Sequence, residues 1–235
     1  MLCGILKLTL TLALFSTASC LPYMLSQTFN PHAVATFQIS MTQDNSIIVT
    51  AGTLEKKVVV SKKASNGTYS MVQTITSSRY IMIASISLDG QTLAVGDFSN
   101  VKIYTYNSGT GQFDLTQTLP GGTSSITSGS MTNDAQWVVQ KSDTSQVQVF
   151  KYDGSSFVLN QTITVNFTIS RVRLSDNHLF LYIVENGASF DIYKFGGSSF
   201  AYAQSITGLG SGNKEISSTA DGSVVILGNP STNSA

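Results

Sequence analysis

The sequence predicts an all-β protein, a β-propeller built from four-stranded antiparallel blades. Three observations carry that prediction. First, a motif of aromatic, any residue, apolar, any residue, Gln, Thr or Ser, apolar occurs as YMLSQTF at Tyr23, YSMVQTI at Tyr69, FDLTQTL at Phe113, FVLNQTI at Phe157 and FAYAQSI at Phe200. Its glutamines, Gln27, Gln73, Gln117, Gln161 and Gln204, are separated by 46, 44, 44 and 43 residues, a near-constant period that marks a repeat architecture. Second, each period divides at turn signals into four short strands, and their short connections suit antiparallel hairpins. Third, the strand before each motif is apolar on both faces. Val101, Ile103, Val147, Val149 and Ile192 alternate with Tyr104, Tyr106, Phe150, Tyr152, Tyr193 and Phe195, as a sheet covered on both sides by other sheets requires.

From the N-terminus, MLCGILKLTLTLALFSTASC reads as a signal peptide over 1–20: Lys7, an apolar run from Leu8 to Phe15, then small residues. The run is too short for a spanning helix of about 20 apolar residues. Cleavage after Cys20 gives a secreted chain. Lipoprotein anchoring at Cys20 is the alternative, and TASC departs from that motif by placing threonine where leucine is usual. Both cysteines, Cys3 and Cys20, fall in this leader. The exported chain then has no thiol, and its stability rests on a core that its length suffices to build.

The propeller domain spans 21–235. An unaccompanied fourth strand at 23–29 precedes repeats at about 37–76, 83–119, 126–164 and 169–207 and a partial repeat at 215–228. The copy from Ser85 to Leu119 is the clearest. One strand ends at Leu88, the Asp89-Gly90 turn follows, a second lies around Thr92 to Val95, a third runs from Val101 to Tyr106, and a fourth starts at Phe113 after a turn over Asn107 to Gly111. In the fourth strand, a two-residue period places the aromatic, the second apolar residue and the glutamine on one face. The glutamine is then a structural amide, paired with backbone groups of the neighbouring blade.

Strings such as SLDGQTLAVG, VKIYTY and FDLTQTL resemble the repeats of secreted FG-GAP or integrin-α-like propellers, and of WD-repeat-like and lactonase-type propellers. The resemblance runs from Tyr23 to the C-terminus and implies the propeller fold. No Asp-x-Asp-x-Asp-Gly calcium loop and no Trp-Asp or Gly-His dipeptide occurs. The resemblance therefore carries the fold and not a set of calcium ligands.

Composition narrows the function. Charged residues make up 11% of the chain, with 13 bases and 13 acids, against roughly 25% in an average soluble protein. There is neither a basic footprint for nucleic acid nor a polybasic membrane patch. The two histidines, His32 and His178, have no second metal ligand at useful spacing, and no base marks out a nucleophilic Ser or Thr. GGTSS at Gly121 and GLGSG at Gly208 read as connectors and not as phosphate loops. Asp44, Asp89, Asp134, Asp176 and Asp221 recur in the first hairpin turn, where short acids bond the local backbone. No catalytic residue, metal ligand set or cofactor is assigned.

Two features remain. Arg171 and Arg173 alternate on a first strand, and first strands line a propeller's channel. A like-charged pair there calls for solvent or an anion to offset it. The sequons at Asn66, Asn160 and Asn166 are candidates for N-glycosylation, with Asn66 best placed, in a turn. The reading that fits is a secreted or cell-surface binding, adhesion or scaffold module without catalysis, its partner an extracellular protein or glycan. The alternative is a lactonase-type hydrolase or lyase with a channel-mouth site. At the ends, KEISSTADGSVVILG supplies two strands and YMLSQTF supplies one. They form either a closed five-bladed ring with a three-stranded blade or part of a longer propeller. In the second case the VVIL edge invites self-association.

Overall fold

The computed structural model describes residues 31–34, 36–121, 126–186, 189–209 and 215–228. The leader, the strand at 23–29 and Gln27 lie outside the described residues. Strands follow one another as antiparallel hairpins. The first blade holds β1 (Gln38–Met41), β2 (Ile47–Gly52), β3 (Lys57–Lys63) and β4 (Tyr69–Thr76). In the second, β5 (Ile81–Ile86), β6 (Thr92–Asp97), β7 (Val101–Asn107) and β8 (Gln112–Leu119) repeat the order. The third contains β9 (Gly129–Met131), β10 (Trp137–Asp143), β11 (Gln146–Tyr152) and β12 (Phe157–Thr164). The fourth contains β13 (Ile169–Leu174), β14 (Phe180–Glu185), β15 (Phe190–Phe195) and β16 (Phe200–Ile206). A fifth sheet pairs β17 (Glu215–Ser218) with β18 (Val225–Gly228). The fold is an all-β propeller.

The apolar core lies between blades and not within one of them. Val49, Val58, Val60 and Ile75 of the first blade pack on Ile81, Ile86, Leu93 and Phe113 of the second. Val101, Ile103 and Leu119 of the second meet Val138, Phe150 and Phe157 of the third. Trp137, Val147 and Val149 then meet Val172, Leu181, Tyr193 and Phe200 of the fourth. Tyr182, Val184 and Phe190 continue the series onto Ile216, Val225 and Leu227. This is why the third strands are apolar on both faces: β7, β11 and β15 are each covered from both sides.

The fourth strands depart from simple alternation. In each blade the register slips by one residue just before the glutamine: Ile103 faces Gln117 whereas Tyr104 faces Leu115, and the same β-bulge occurs in β4, β12 and β16. An extra residue reverses which face the following side chains take. The aromatics Phe113, Phe157 and Phe200 therefore pack back on the preceding blade, the second apolar residues Met71, Leu115, Leu159 and Tyr202 are exposed, and the glutamine looks forward.

That reversal lets the two ends of the motif meet across blades. Gln73 Nε2 donates to Phe113 O at 2.8 Å, and Phe113 N–H donates to Gln73 Oε1 at 2.7 Å. Gln117 holds Phe157 in the same way at 2.7 and 2.8 Å, and Gln161 holds Phe200 at 2.9 and 2.7 Å. Each amide thus replaces a missing ladder partner for the first residues of the next outer strand. Gln204 is exposed, and its equivalent partner would be a fourth strand of a fifth blade.

The hairpin between first and second strands is a second repeated device. Thr42, Ser87, Thr132 and Thr219 donate their hydroxyls to Asp44, Asp89, Asp134 and Asp221. Each carboxylate in turn accepts the N–H two residues on. In the fourth blade this place belongs to Asn177, which accepts from Ser175 Oγ and Leu179 N–H. Asp176 is therefore not the turn acid the sequence suggests; it lies one position earlier, where it accepts a bond from the Asn133 backbone.

The residue after the turn acid or amide has positive φ in all five copies: Asn45 at 58°, Gly90 at 70°, Ala135 at 53°, His178 at 52° and Gly222 at 70°. Alanine is strained there by about 1 to 2 kcal/mol, and glycine gives back part of that through unfolded-chain entropy. Ala135→Gly should therefore raise stability by about 0.5 to 1 kcal/mol, measured by urea denaturation. The turn bonds also set an acid limit. The Ser46 N–H and the hydroxyls of Ser46 and Thr42 hold Asp44 at about 2, below the ordinary 3.8. The Thr219 hydroxyl and Ser223 hold Asp221 at about 2 as well. In this window the unfolded chain binds more protons than the folded one, so stability falls as pH falls. A thermal midpoint declining between about pH 4 and pH 2, and less steeply in Asp44→Asn, is the expected result.

Candidate functional site: the central channel

The first strands stand side by side in chain order around a cavity of about 380 Å³. Phe37, Gln38, Met82, Ser128, Ser130 and Ile216 contribute to its wall from the other four sheets. Arg171 and Arg173 of β13 lie in the same wall and are the charged residues among those lining it.

Elsewhere in the channel, polar side chains are used to fasten neighbouring first strands. Gln38 Oε1 accepts Ala84 N–H at 2.9 Å, and Ser40 Oγ accepts Ile86 N–H at 3.0 Å. Ser128 Oγ accepts Val172 N–H at 2.9 Å, and Ser130 Oγ accepts Leu174 N–H at 3.1 Å. Counting back two residues from the turn hydroxyl gives Ser40, Ser85, Ser130, Arg173 and Ser217. Arg173 thus stands where every other repeat has serine. Counting back four gives Gln38, Ile83, Ser128, Arg171 and Glu215.

A guanidinium donates and cannot accept, so Arg173 is unable to make the serine's bond to the next strand. Its Nε is buried without a hydrogen-bond partner. Asp176 feels its charge: burial pushes the Asp176 carboxyl up, and Arg173 offsets only part of that. Arg171 Nη1 donates to Ser170 O at 3.1 Å. On the neighbouring blade, burial and then the Arg171 charge push the Lys141 ammonium below its ordinary range, against the pull of Asp143.

The other candidates fall away from the channel. His32 is buried, with Nδ1 2.6 Å from Glu55 Oε2 and Nε2 3.0 Å from Thr50 Oγ1. Ala33 N–H adds a bond of 2.7 Å to Glu55, and Lys57 an ion pair at 3.2 Å. Burial pushes the Glu55 carboxyl up, but the His32, Ala33 and Lys57 contacts together bring it below its usual value. Hydroxyl, imidazole and carboxylate follow the order of a nucleophilic relay. The Thr50 hydroxyl, however, belongs to a residue only 2% exposed and is sealed from substrate. The cluster fastens the segment before β1 onto β2. No sequence signal announced it, because His32 and Glu55 are brought together by the path of the chain.

His178 occupies its strained turn position with its ring stacked on Trp137, 5.6 Å between centroids. Among the described residues, no group of three or more His, Cys, Asp or Glu is placed to hold a metal ion, and no helix is long and apolar enough to cross a membrane. Asn66, Asn160 and Asn166 are all exposed. Asn66 accepts from Thr68 N–H and Oγ1 in the β3–β4 turn, Asn160 is the bulged residue of β12, and Asn166 lies in the following connector. Among the described residues β18 pairs only with β17, and Ile226 on it is 66% exposed.

The sequence matches no protein-family model and no curated protein. Solved structures do share the fold. A protein from Lactobacillus plantarum superposes with a TM-score of 0.67 at 19% identity, over 83% of this chain and 64% of that one. A chain of a mitotic checkpoint complex gives 0.69 at 12% identity, over 88% of this chain and 62% of that one. This chain therefore spans under two thirds of the length of either structure. At these identities the likeness is one of architecture.

Proposed function

We propose that the chain is a secreted or cell-surface binding module without catalysis, which takes an extracellular protein or glycan at the face where the channel opens. The observation that carries this reading is how the repeated polar side chains are used. The glutamines bond the next outer strand, the turn acids bond their own hairpins, and the first-strand serines bond the next first strand. Against that background Arg171 and Arg173 depart from the repeat inside the channel, Arg173 standing where the other copies have serine. Binding sites on repeat scaffolds arise from such departures on a rigid frame. Export rests on the leader at 1–20, and glycans at Asn66, Asn160 or Asn166 fit their exposure. Self-association through β18 belongs to the same reading.

The test uses the exported chain, purified from culture medium and applied to arrays of glycans and extracellular proteins. Saturable, reversible binding with the ligand recovered unchanged is the expected result. Multiple-turnover cleavage of a lactone or ester, accompanied by a stoichiometric divalent ion, would establish the enzyme instead.

A further inference from the structure

We infer that the cleft between the outer parts of the third and fourth blades binds a sugar ring of a glycan, with Tyr202 as its stacking surface and Asp191 as an acceptor for its hydroxyls. This site shares no lining residue with the channel cavity and goes beyond the channel-face reading.

The cleft has a volume of about 670 Å³, within the range of small-molecule sites. Thr164 and Asn166 line it from the third blade and its connector, and Glu185, Asp191, Tyr202 and Ser205 line it from the fourth blade. Between the first two blades the same place is tied shut. There Ser77 of the connector donates to Asp97 Oδ2 at 2.6 Å; burial pushes the Asp97 carboxyl up, but Ser77, the Ser99 and Asn100 N–H groups and the Lys102 charge together bring it below its usual value. By repeat position, Val165, Glu185 and Asp191 stand in place of Ser77, Asp97 and Lys102. Valine cannot bond the acid, and Glu185 accepts instead from Ser189 Oγ beside its own strand. Between the second and third blades, Gln140 Nε2 reaches both Pro120 O and Gln148 Oε1 at 2.8 Å, and Gln148 is the counterpart of Asp191. The third and fourth blades lack either tie, and the cleft opens there.

Its lining suits hydroxyl groups. Thr164, Asn166 and Ser205 each donate and accept, while the carboxylates of Asp191 and Glu185 accept, and no lysine or arginine is among the lining residues. Sugar hydroxyls also donate and accept, so they use the whole set, whereas an inorganic anion is repelled and a bare cation leaves the neutral donors idle. Tyr202 adds the apolar surface that the C–H face of a sugar needs. It is 59% exposed, in the place where the other blades carry Met71, Leu115 and Leu159, and Tyr193 buttresses it edge to face at 5.8 Å. A ring held in this way offers rigid contact area at low entropic cost. Asn166 begins the sequon Asn166-Phe167-Thr168 and lies in the same wall, so the sugar is either tethered to this chain or borne by a partner.

The test titrates the full exported chain with diacetylchitobiose, cellobiose, lactose and mannobiose, followed by saturation-transfer NMR and calorimetry. Saturable binding of at least one disaccharide in the millimolar range is the expected result. Tyr202→Ala, at an exposed position, is expected to weaken it at least about fivefold while melting with the wild type. Asp191→Asn, which keeps the shape of the side chain, is expected to weaken it as well, and Leu115→Ala, the same position in the second blade, to leave it unchanged. The source of the sugar is read from Asn166→Gln in chain exported by a glycosylating host. Uptake only after that substitution shows that the cleft seats the glycan of Asn166, and equal uptake with and without it shows that the cleft seats a partner's glycan. No uptake of any of the four by either the wild type or Asn166→Gln would overturn the inference. So would equal affinity in wild type, Tyr202→Ala and Asp191→Asn, and so would preference for tetramethylammonium over all four sugars, which would make the cleft a cation site.

Discussion

Trp137→Ala should lower stability by about 3 to 5 kcal/mol, the range for truncating a fully packed aromatic. Trp137 is 2% exposed and joins the third blade to the fourth. Its ring meets Phe195 at 5.2 Å and Phe200 at 6.0 Å, both edge to face, and His178 stacks on it. These partners sit on three separate segments of the next blade, so no single movement closes the cavity. Circular dichroism during urea denaturation measures the loss. Because the chain has one tryptophan, wild-type fluorescence reports this interface alone. A fluorescence transition coincident with the dichroism transition is expected if the blades unfold as one unit.

Gln117→Leu should cost about 2 to 4 kcal/mol, although it exchanges a polar side chain for an apolar one of similar size. The substitution removes two inter-blade bonds and leaves the Phe157 N–H and C=O without their partner. Unpaired buried groups of this kind cost about 1 to 3 kcal/mol each, reduced here because the site is only half-buried. The thermal midpoint should fall by roughly 5 to 12 °C for a chain of this size, while ligand binding at the channel is retained. Gln161→Leu should behave alike, through Phe200.

Much of the fold was legible in the residues because the repeat states it several times. A period near 44, the Asp-Gly turns and the two-sided apolar third strands each point to stacked four-stranded sheets. The inter-blade role of the glutamine was legible too. What alternation hid was the bulge: strict two-residue counting puts Phe157, Leu159 and Gln161 on one face, and only the register of β11 against β12 shows Asn160 as an extra residue. Asp176 misled for a related reason, since it looks like the turn acid while Asn177 does that work.

The channel site was half legible. Arg171 and Arg173 stood out as alternating charges on a first strand. The stronger signal, arginine in the place of four serines, was present in the letters but required aligning the repeats on Thr42, Ser87, Thr132, Ser175 and Thr219, whose common role emerges from their hydrogen bonds. The position of Lys141 beside Arg171 could not be read, because it depends on how neighbouring blades face each other. The partners of His32 depend likewise on the path of the chain before β1.

Hydrogen exchange at the amide of Phe157, compared between wild type and Gln117→Leu, tests the central claim most directly: that each blade is fastened to the next by one glutamine. The account predicts that protection at Phe157 falls sharply in the variant while Phe113 and Phe200, held by Gln73 and Gln161, keep theirs under conditions where the protein stays folded. Unchanged protection at Phe157, or an equal loss at all three amides, would contradict it.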